Sequence, residues 1–398
     1  MSRFKLMTPA HLLLFFAFVM SLTFAVWQVL LNNFSIDLAN FTGREIGILQ
    51  SIREIPGFLA FTAIYLLLFV REQTFAFFFL ALMCFGIAIT GWFPTAMGLY
   101  CTTLVMSIGF HYFETVNQSL TLQWIDKENT PQFMGKALAY KSAASLIAFA
   151  LVWLVMDYFT MSYNFAYISF GVFGLVAVLL MWLACPRFEQ AHVQEKKLIL
   201  RRRYWLYYAL TFFSGARRQI FIVFAGFMMV EKFGYSVGQI SLLFMINYLF
   251  NMLCAPAIGR WIAKVGEKHT LTIEYAGLII IFSSYALVEN ATWAAVLYVA
   301  DHLFFALAIA IKTYFQKIAD PKDMASTAGV SFTINHIAAV VIPVILGLLW
   351  LYSSALVFFI GAGFALCSLL LSRLIPDTPE PGYEVRWPIQ RAHVEDAK

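Results

Sequence analysis

The sequence predicts an all-α polytopic membrane protein with twelve transmembrane helices, and three observations carry that prediction. Of the 398 residues 61% are hydrophobic and only 12% charged, about half the charge of an ordinary soluble domain. Apolar stretches of about twenty residues, enough to cross a bilayer as a helix, follow one another along the chain with short polar breaks. These stretches are unbroken rather than alternating, which excludes an outer-membrane barrel.

The spans fall near residues 11–31, 44–70, 73–92, 95–124, 133–156, 163–185, 204–230, 237–263, 269–289, 291–318, 325–351 and 353–373. The first follows Arg3 and Lys5 and runs to Leu31 with no small-residue cleavage site behind it. It reads as a retained span, not a signal peptide. Positively charged loops stay in the cytoplasm, and twenty Lys and Arg fall on the side of the two termini against Arg44 and Lys232 on the other. Both termini are therefore expected to be cytoplasmic, with the protein in the inner (plasma) membrane. The basic excess, scattered over short loops, reads as a topology signal and not as a nucleic-acid surface. The five cysteines show no CxxC or Cys/His pattern, so neither a disulfide framework nor a metal site is expected.

One long polar interruption, PRFEQAHVQEKKLILRRR at 186–203, divides six spans from six. The expected organisation is an N-terminal six-helix bundle (1–185), a cytoplasmic linker (186–203), a C-terminal six-helix bundle (204–373) and a cytoplasmic tail (374–398). A gap-free offset of 194 residues lays Thr42 on Ser236, Ile46 on Ile240, Leu49 on Leu243, Asp126 on Asp320 and Gly135 on Gly329. It also superimposes the boundaries of spans 2, 4 and 5 on those of 8, 10 and 11. A parallel duplication explains both.

Ionisable residues within spans are costly against lipid, and here they avoid every third helix apart from Glu274 in the ninth. Arg217 and Arg218 lie deepest, about 20 Å from either end of the seventh span. Being about 100° apart on the helix they cannot both enter one cavity, and one of them is expected to contact substrate, with an ion pair to Glu54, Glu114 or Asp301 as the structural alternative. Arg53 and Glu54 precede Pro56-Gly57, where a lost backbone hydrogen bond permits a kink, so they suit either a gating hinge or a substrate contact. His111 and Glu114, three apart on one helical face, form a candidate proton-coupling pair, since a histidine beside a desolvated carboxylate titrates in the useful range. Asp301, beside His302, is a further proton candidate. Gln28 and Asn247 add polar groups for substrate.

These features together resemble the major facilitator superfamily. The loop GRWIAKVGEKHTL after the eighth span is similar to that family's glycine-and-basic loop signature, with Gly259, Arg260, Gly266 and Lys268 at suitable spacing as gating-loop residues. The equivalent loop after the second span, VREQT, lacks the motif, the fourth span lacks the arginine-plus-glycine motif of proton-coupled members, and the fifth lacks the glycine-proline motif of drug antiporters. The resemblance implies helices 3, 6, 9 and 12 against lipid and alternating access of two halves about a midplane cavity.

No GxxxxGK[ST], HExxH or triad spacing occurs, so no enzyme and no cofactor are expected. The expected function is secondary active transport, symport or antiport, of a small organic substrate by a monomer among membrane lipids. Because interior cations outnumber interior carboxylates, the substrate is expected to be anionic, and protons are the expected coupling ion. The alternatives are a lipid or amphiphile flippase on the same scaffold and a non-transporting membrane sensor.

Overall fold

The computed structural model describes residues 7–67, 69–125, 130–189, 200–320 and 324–386. Asp126, most of the expected linker, Lys322 and the end of the tail lie outside the described residues, as does the side chain of Asn251. Among the described residues twelve long helices follow one another, with no strand. They are α1 (Pro9–Ala39), α2 (Gly43–Phe58), α3 (Glu72–Thr90), α4 (Ala96–Trp124), α5 (Thr130–Trp153) and α6 (Tyr163–Ala184). The second set is α7 (Arg202–Glu231), α8 (Val237–Val265), α9 (Glu267–Leu287), α10 (Ala291–Ile318), α11 (Met324–Trp350) and α12 (Ser354–Ser372). Ten of the twelve carry a stretch long and apolar enough to cross a membrane. The other two, α2 and α4, hold Arg53, Glu54, His111 and Glu114, and α2 gives way beyond Pro56-Gly57 to a single 3-10 turn and a short helix, Ala63–Leu66. Missing ladder bonds at a proline favour such a break.

The duplication is visible in the helix caps. Thr42 and Glu45 form a capping box at the start of α2. Ser236 and Gln239 do the same at the start of α8: the Gln239 N–H donates to the Ser236 hydroxyl (3.2 Å) and the Ser236 N–H to the Gln239 Oε1 (2.9 Å). Each box satisfies two of the amide groups a helix start leaves open, and the two are related by the offset that relates the halves of the sequence. Two helices are locally rewound: α5 ends in a π-turn (Leu154–Tyr158) and α7 contains one (Ile220–Ala225).

The chain forms two compact units. Unit 1 comprises residues 1–194 with 226–248 and 343–348, and unit 2 comprises 195–225, 249–342 and 349–398. In unit 1, α3 packs on α4 and α6, α1 on α5, and α2 on α4. Glycines set the spacing there, because a Cβ at Gly109 would overlap the Met83 backbone and one at Gly171 would overlap the Ala88 backbone. In unit 2, α9 packs on α10 and α12, and α7 on α12. Its core is aromatic: Tyr204, Tyr207, Tyr275, Tyr314 and Phe315 are buried, with Tyr207 and Phe315 stacked at 4.3 Å.

Candidate functional site

Within unit 1, α2 and α4 place Arg53, Glu54 and His111 together. The Arg53 guanidinium donates to the Glu54 Oε1 through Nη2 (2.5 Å) and Nε (3.1 Å), and the Ser107 hydroxyl of α4 donates to the Arg53 carbonyl. A ring nitrogen of His111 lies within 4.8 Å of a Glu54 carboxylate oxygen. Glu114, one turn on from His111, takes a different partner: Lys141 of α5 donates to its Oε1 at 2.7 Å. The two residues expected as a coupling pair thus share a helical face, while Glu114 is bonded to α5 and His111 stands beside α2. Gln28 is half-buried on α1, and Asn247 of α8 is buried with its Oδ1 unpartnered.

Within unit 2, the paired arginines of α7 separate as their azimuths require. Arg218 is exposed on the surface of the unit, close enough to His302 of α10 to act on it electrostatically. Arg217 turns inward and is 1% exposed. Its Nε donates to the Phe213 carbonyl at 3.2 Å, its guanidinium carbon lies 4.5 Å over the Tyr275 ring, and its Nη2 stands 3.6 Å from the Glu274 Oε1. That last distance is within ion-pair range and beyond a hydrogen bond. Asp301 of α10 is fully buried, and Arg217 is the charged group acting on it. Both oxygens of Glu274, both oxygens of Asp301 and both terminal nitrogens of Arg217 are buried without a hydrogen-bond partner. Of the three carboxylates expected as partners for an arginine here, Asp301 is acted on by Arg217, while the ion-pair partner is Glu274, noted in the sequence as an exception among the uncharged third helices but not expected at the site. Its signal was present: a lone carboxylate in an otherwise uncharged stretch of an apolar span.

The loop between α8 and α9 turns on Gly266, whose φ of 87° lies in the left-handed region that glycine adopts without strain. Lys268 donates to Asp377 at 2.8 Å just beyond α12, and Arg386 lies 3.5 Å from the same carboxylate. The Lys268 hydrogen bond and charge hold the Asp377 carboxyl below its ordinary range. Gly259 and Arg260, expected in this loop, lie inside α8, which runs on to Val265: Arg260 is exposed, and Gly259 has open space where a side chain would stand.

The family model described as Major Facilitator Superfamily matches residues 7–343 and 207–391. No curated protein sequence matches the chain. Among solved structures, a mutant form of the nucleoside transporter NupG is similar at 16% identity and a TM-score of 0.75, covering 92% of this chain and 99% of its own. An auto-inhibited POT family peptide transporter is similar at 13% identity and a TM-score of 0.73, with 94% and 98% covered. A bacterial homologue of the iron transporter ferroportin, in an inward-facing state, is similar at 11% identity and a TM-score of 0.74, with 92% and 98% covered. At these identities the likeness speaks for the fold.

Proposed function

The chain belongs to the major facilitator superfamily and is a multi-pass membrane transporter, not an enzyme, and from that premise we propose that it carries small organic anions across the inner membrane, coupled to protons. The observation that supports the anion is Arg218. It stands near the middle of a 30-residue span and is exposed on its unit, and a guanidinium at that depth is costly against hydrocarbon. A wet, solute-facing wall removes that cost. A guanidinium also recognises carboxylate and phosphate through paired donors, and Gln28, Asn247 and Arg53 are the further substrate candidates.

Coupling is assigned to the interior carboxylates and to His111. In unit 1, Glu54 and Glu114 each have a cation of their own, which leaves Asp301 the strongest claim to a mobile proton. The halves 1–185 and 204–373 are the moving bodies, joined by 186–203 and followed by the tail 374–398, with both termini cytoplasmic. Gly259 and Arg260 in the last turns of α8, the turn at Gly266 and Lys268 at the start of α9 form the cytoplasmic gating element, and the protein works as a monomer.

A thermal-shift screen of the purified protein with carboxylates, phosphate esters, amines and neutral solutes tests the substrate class. Anionic compounds should raise the melting temperature of the wild type, and Arg218→Ala should lose that response. Arg218→Lys should recover little of it, because a point charge does not replace a bidentate donor. Hits confined to amines or neutral solutes, or an undiminished response in Arg218→Ala, remove the anion reading. Reporter fusions after residues 195 and 398 test the orientation, and a periplasmic signal from either reverses it.

A further inference from the structure

The cluster inside unit 2 has an odd count. One arginine, Arg217, stands 3.6 Å from Glu274 and acts electrostatically on Asp301, and all three are sealed from solvent. The groups around them come from four helices. From α7 there is Arg217 itself, while Arg218 points to the surface beside His302. Helix α9 supplies Glu274, Tyr275 and Tyr285, the last acted on by Asp301. Helix α10 supplies Asp301 and Tyr298, and α12 presents apolar groups, with Phe358 stacked on Tyr285 at 5.0 Å and Phe364 beside Phe213 at 5.9 Å. No second cation acts on either carboxylate among these groups.

A single negative charge left over in a dry interior is strongly unfavourable. Binding one proton removes it. We propose that the buried cluster of Glu274 and Asp301 about Arg217 binds one proton, inside the second unit and partly on a helix expected to face lipid. The backbone is suited to pass on the change. Arg217 lies three residues before the π-turn Ile220–Ala225 in α7, and Asp301 lies five residues before the 3-10 turn Ala306–Ala308 in α10. Such departures from the α-helix are common at functional hinges. Phe221 of the π-turn packs on Tyr298 at 4.9 Å and within 6.0 Å of His302, so the proton site and the rewound segment share neighbours. When the proton leaves, Arg217 must compensate two carboxylates instead of one, and the arrangement of α7 against α10 that suits one state does not suit the other. That this proton drives transport rests on the coupled reading above.

Infrared spectra of the purified protein in light and heavy water test the site without any substrate. At neutral pH the wild type should show the deuterium-sensitive carbonyl stretch of a protonated carboxyl. Glu274→Gln and Asp301→Asn should each lose it, because either leaves one carboxylate balanced by Arg217. Glu114→Gln should keep it. Since each single variant is decisive alone, failure of one to fold leaves the other as the test. Absence of the band in the wild type, or its survival in a folded single variant, overturns the proposal. Proteoliposome accumulation separates the two readings: loss of the band in the single variants, together with wild-type accumulation that ignores a pH gradient, upholds the proton site and removes the coupled mechanism.

Discussion

The charges of unit 1 and unit 2 are handled in opposite ways. In unit 1 two of the interior carboxylates have a cation each, Arg53 for Glu54 and Lys141 for Glu114, and the Lys141 and Glu114 side chains remain 29% and 39% exposed. In unit 2 two carboxylates divide one arginine, and nothing in the cluster touches solvent. The first arrangement is neutral in one protonation state and tolerant of relaxation. The second is neutral only after a proton has been bound, and its members cannot turn to water if a partner is lost. Packing at the glycines differs too: a Cβ at Gly109 or Gly171 of unit 1 would meet neighbouring backbone, while one at Gly277 or Gly361 of unit 2 would meet the rings of Phe304 and Phe282.

The largest effect expected from this difference is on folding. Arg217→Ala leaves Glu274 and Asp301 buried without a cation and should cost about 3–5 kcal/mol, read as loss of monodisperse protein or a collapsed melting temperature in detergent. Arg53→Ala should cost roughly 1–2 kcal/mol, because Glu54 keeps His111 nearby and is partly exposed. Replacing the whole cluster, with Arg217→Met, Glu274→Gln and Asp301→Asn together, should recover most of the loss, as neutral replacement of buried ion clusters commonly does. Equal losses for Arg217→Ala and Arg53→Ala would erase the distinction between the units.

Next in size is the packing contrast. Gly109→Ala and Gly171→Ala push a methyl into a neighbouring backbone and should each cost about 1–3 kcal/mol. Gly259→Ala, inside α8 with open space around it, should not lower the melting temperature and should raise it slightly through helix propensity.

The fold was largely readable before any coordinates because its signals are one-dimensional. Apolar length marks spans, and the single 194-residue offset that laid Thr42 on Ser236 also lays one capping box on the other. Pairing between helices is not one-dimensional, since it depends on the rotation of each helix about its own axis. The 100° step between Arg217 and Arg218 required different surroundings for the two, yet their apolar sequence neighbours did not say which turns inward. The i,i+3 spacing of His111 and Glu114 correctly gave a common face, but partner choice was decided by Lys141 and Glu54 on other helices. Glu274 stayed outside the expected site because it belongs to a helix whose composition otherwise suits lipid.

A third test sharpens the comparison from the unit 1 side. If the Lys141–Glu114 pair is as accessible as its exposure indicates, a double-mutant cycle over Lys141→Met and Glu114→Gln should return a coupling of roughly 0.2–1 kcal/mol that shrinks with added salt. A salt-independent coupling of several kcal/mol would place this pair in the same class as the sealed cluster.

The smallest effect belongs to Lys268, in the first turn of α9, and Asp377, beyond the end of α12. Here the sign follows from linkage: the Lys268 hydrogen bond and charge depress the Asp377 carboxyl in the folded state, so the folded chain binds that proton less readily than the unfolded one. The stabilisation is then complete above the ordinary carboxylate range and is lost as the pH falls through the depressed value. Because Asp377 is exposed, the contribution is small and screened by salt. Melting curves of wild type and Asp377→Asn should therefore differ by a small constant amount from neutral pH down to the ordinary carboxylate range, converge below it, and coincide at all pH values in high salt. A separation that widens in acid would mean that Asp377 is stabilised in its protonated form, and that the loop carrying Gly266 and Lys268 is held to the end of α12 by something other than this ion pair.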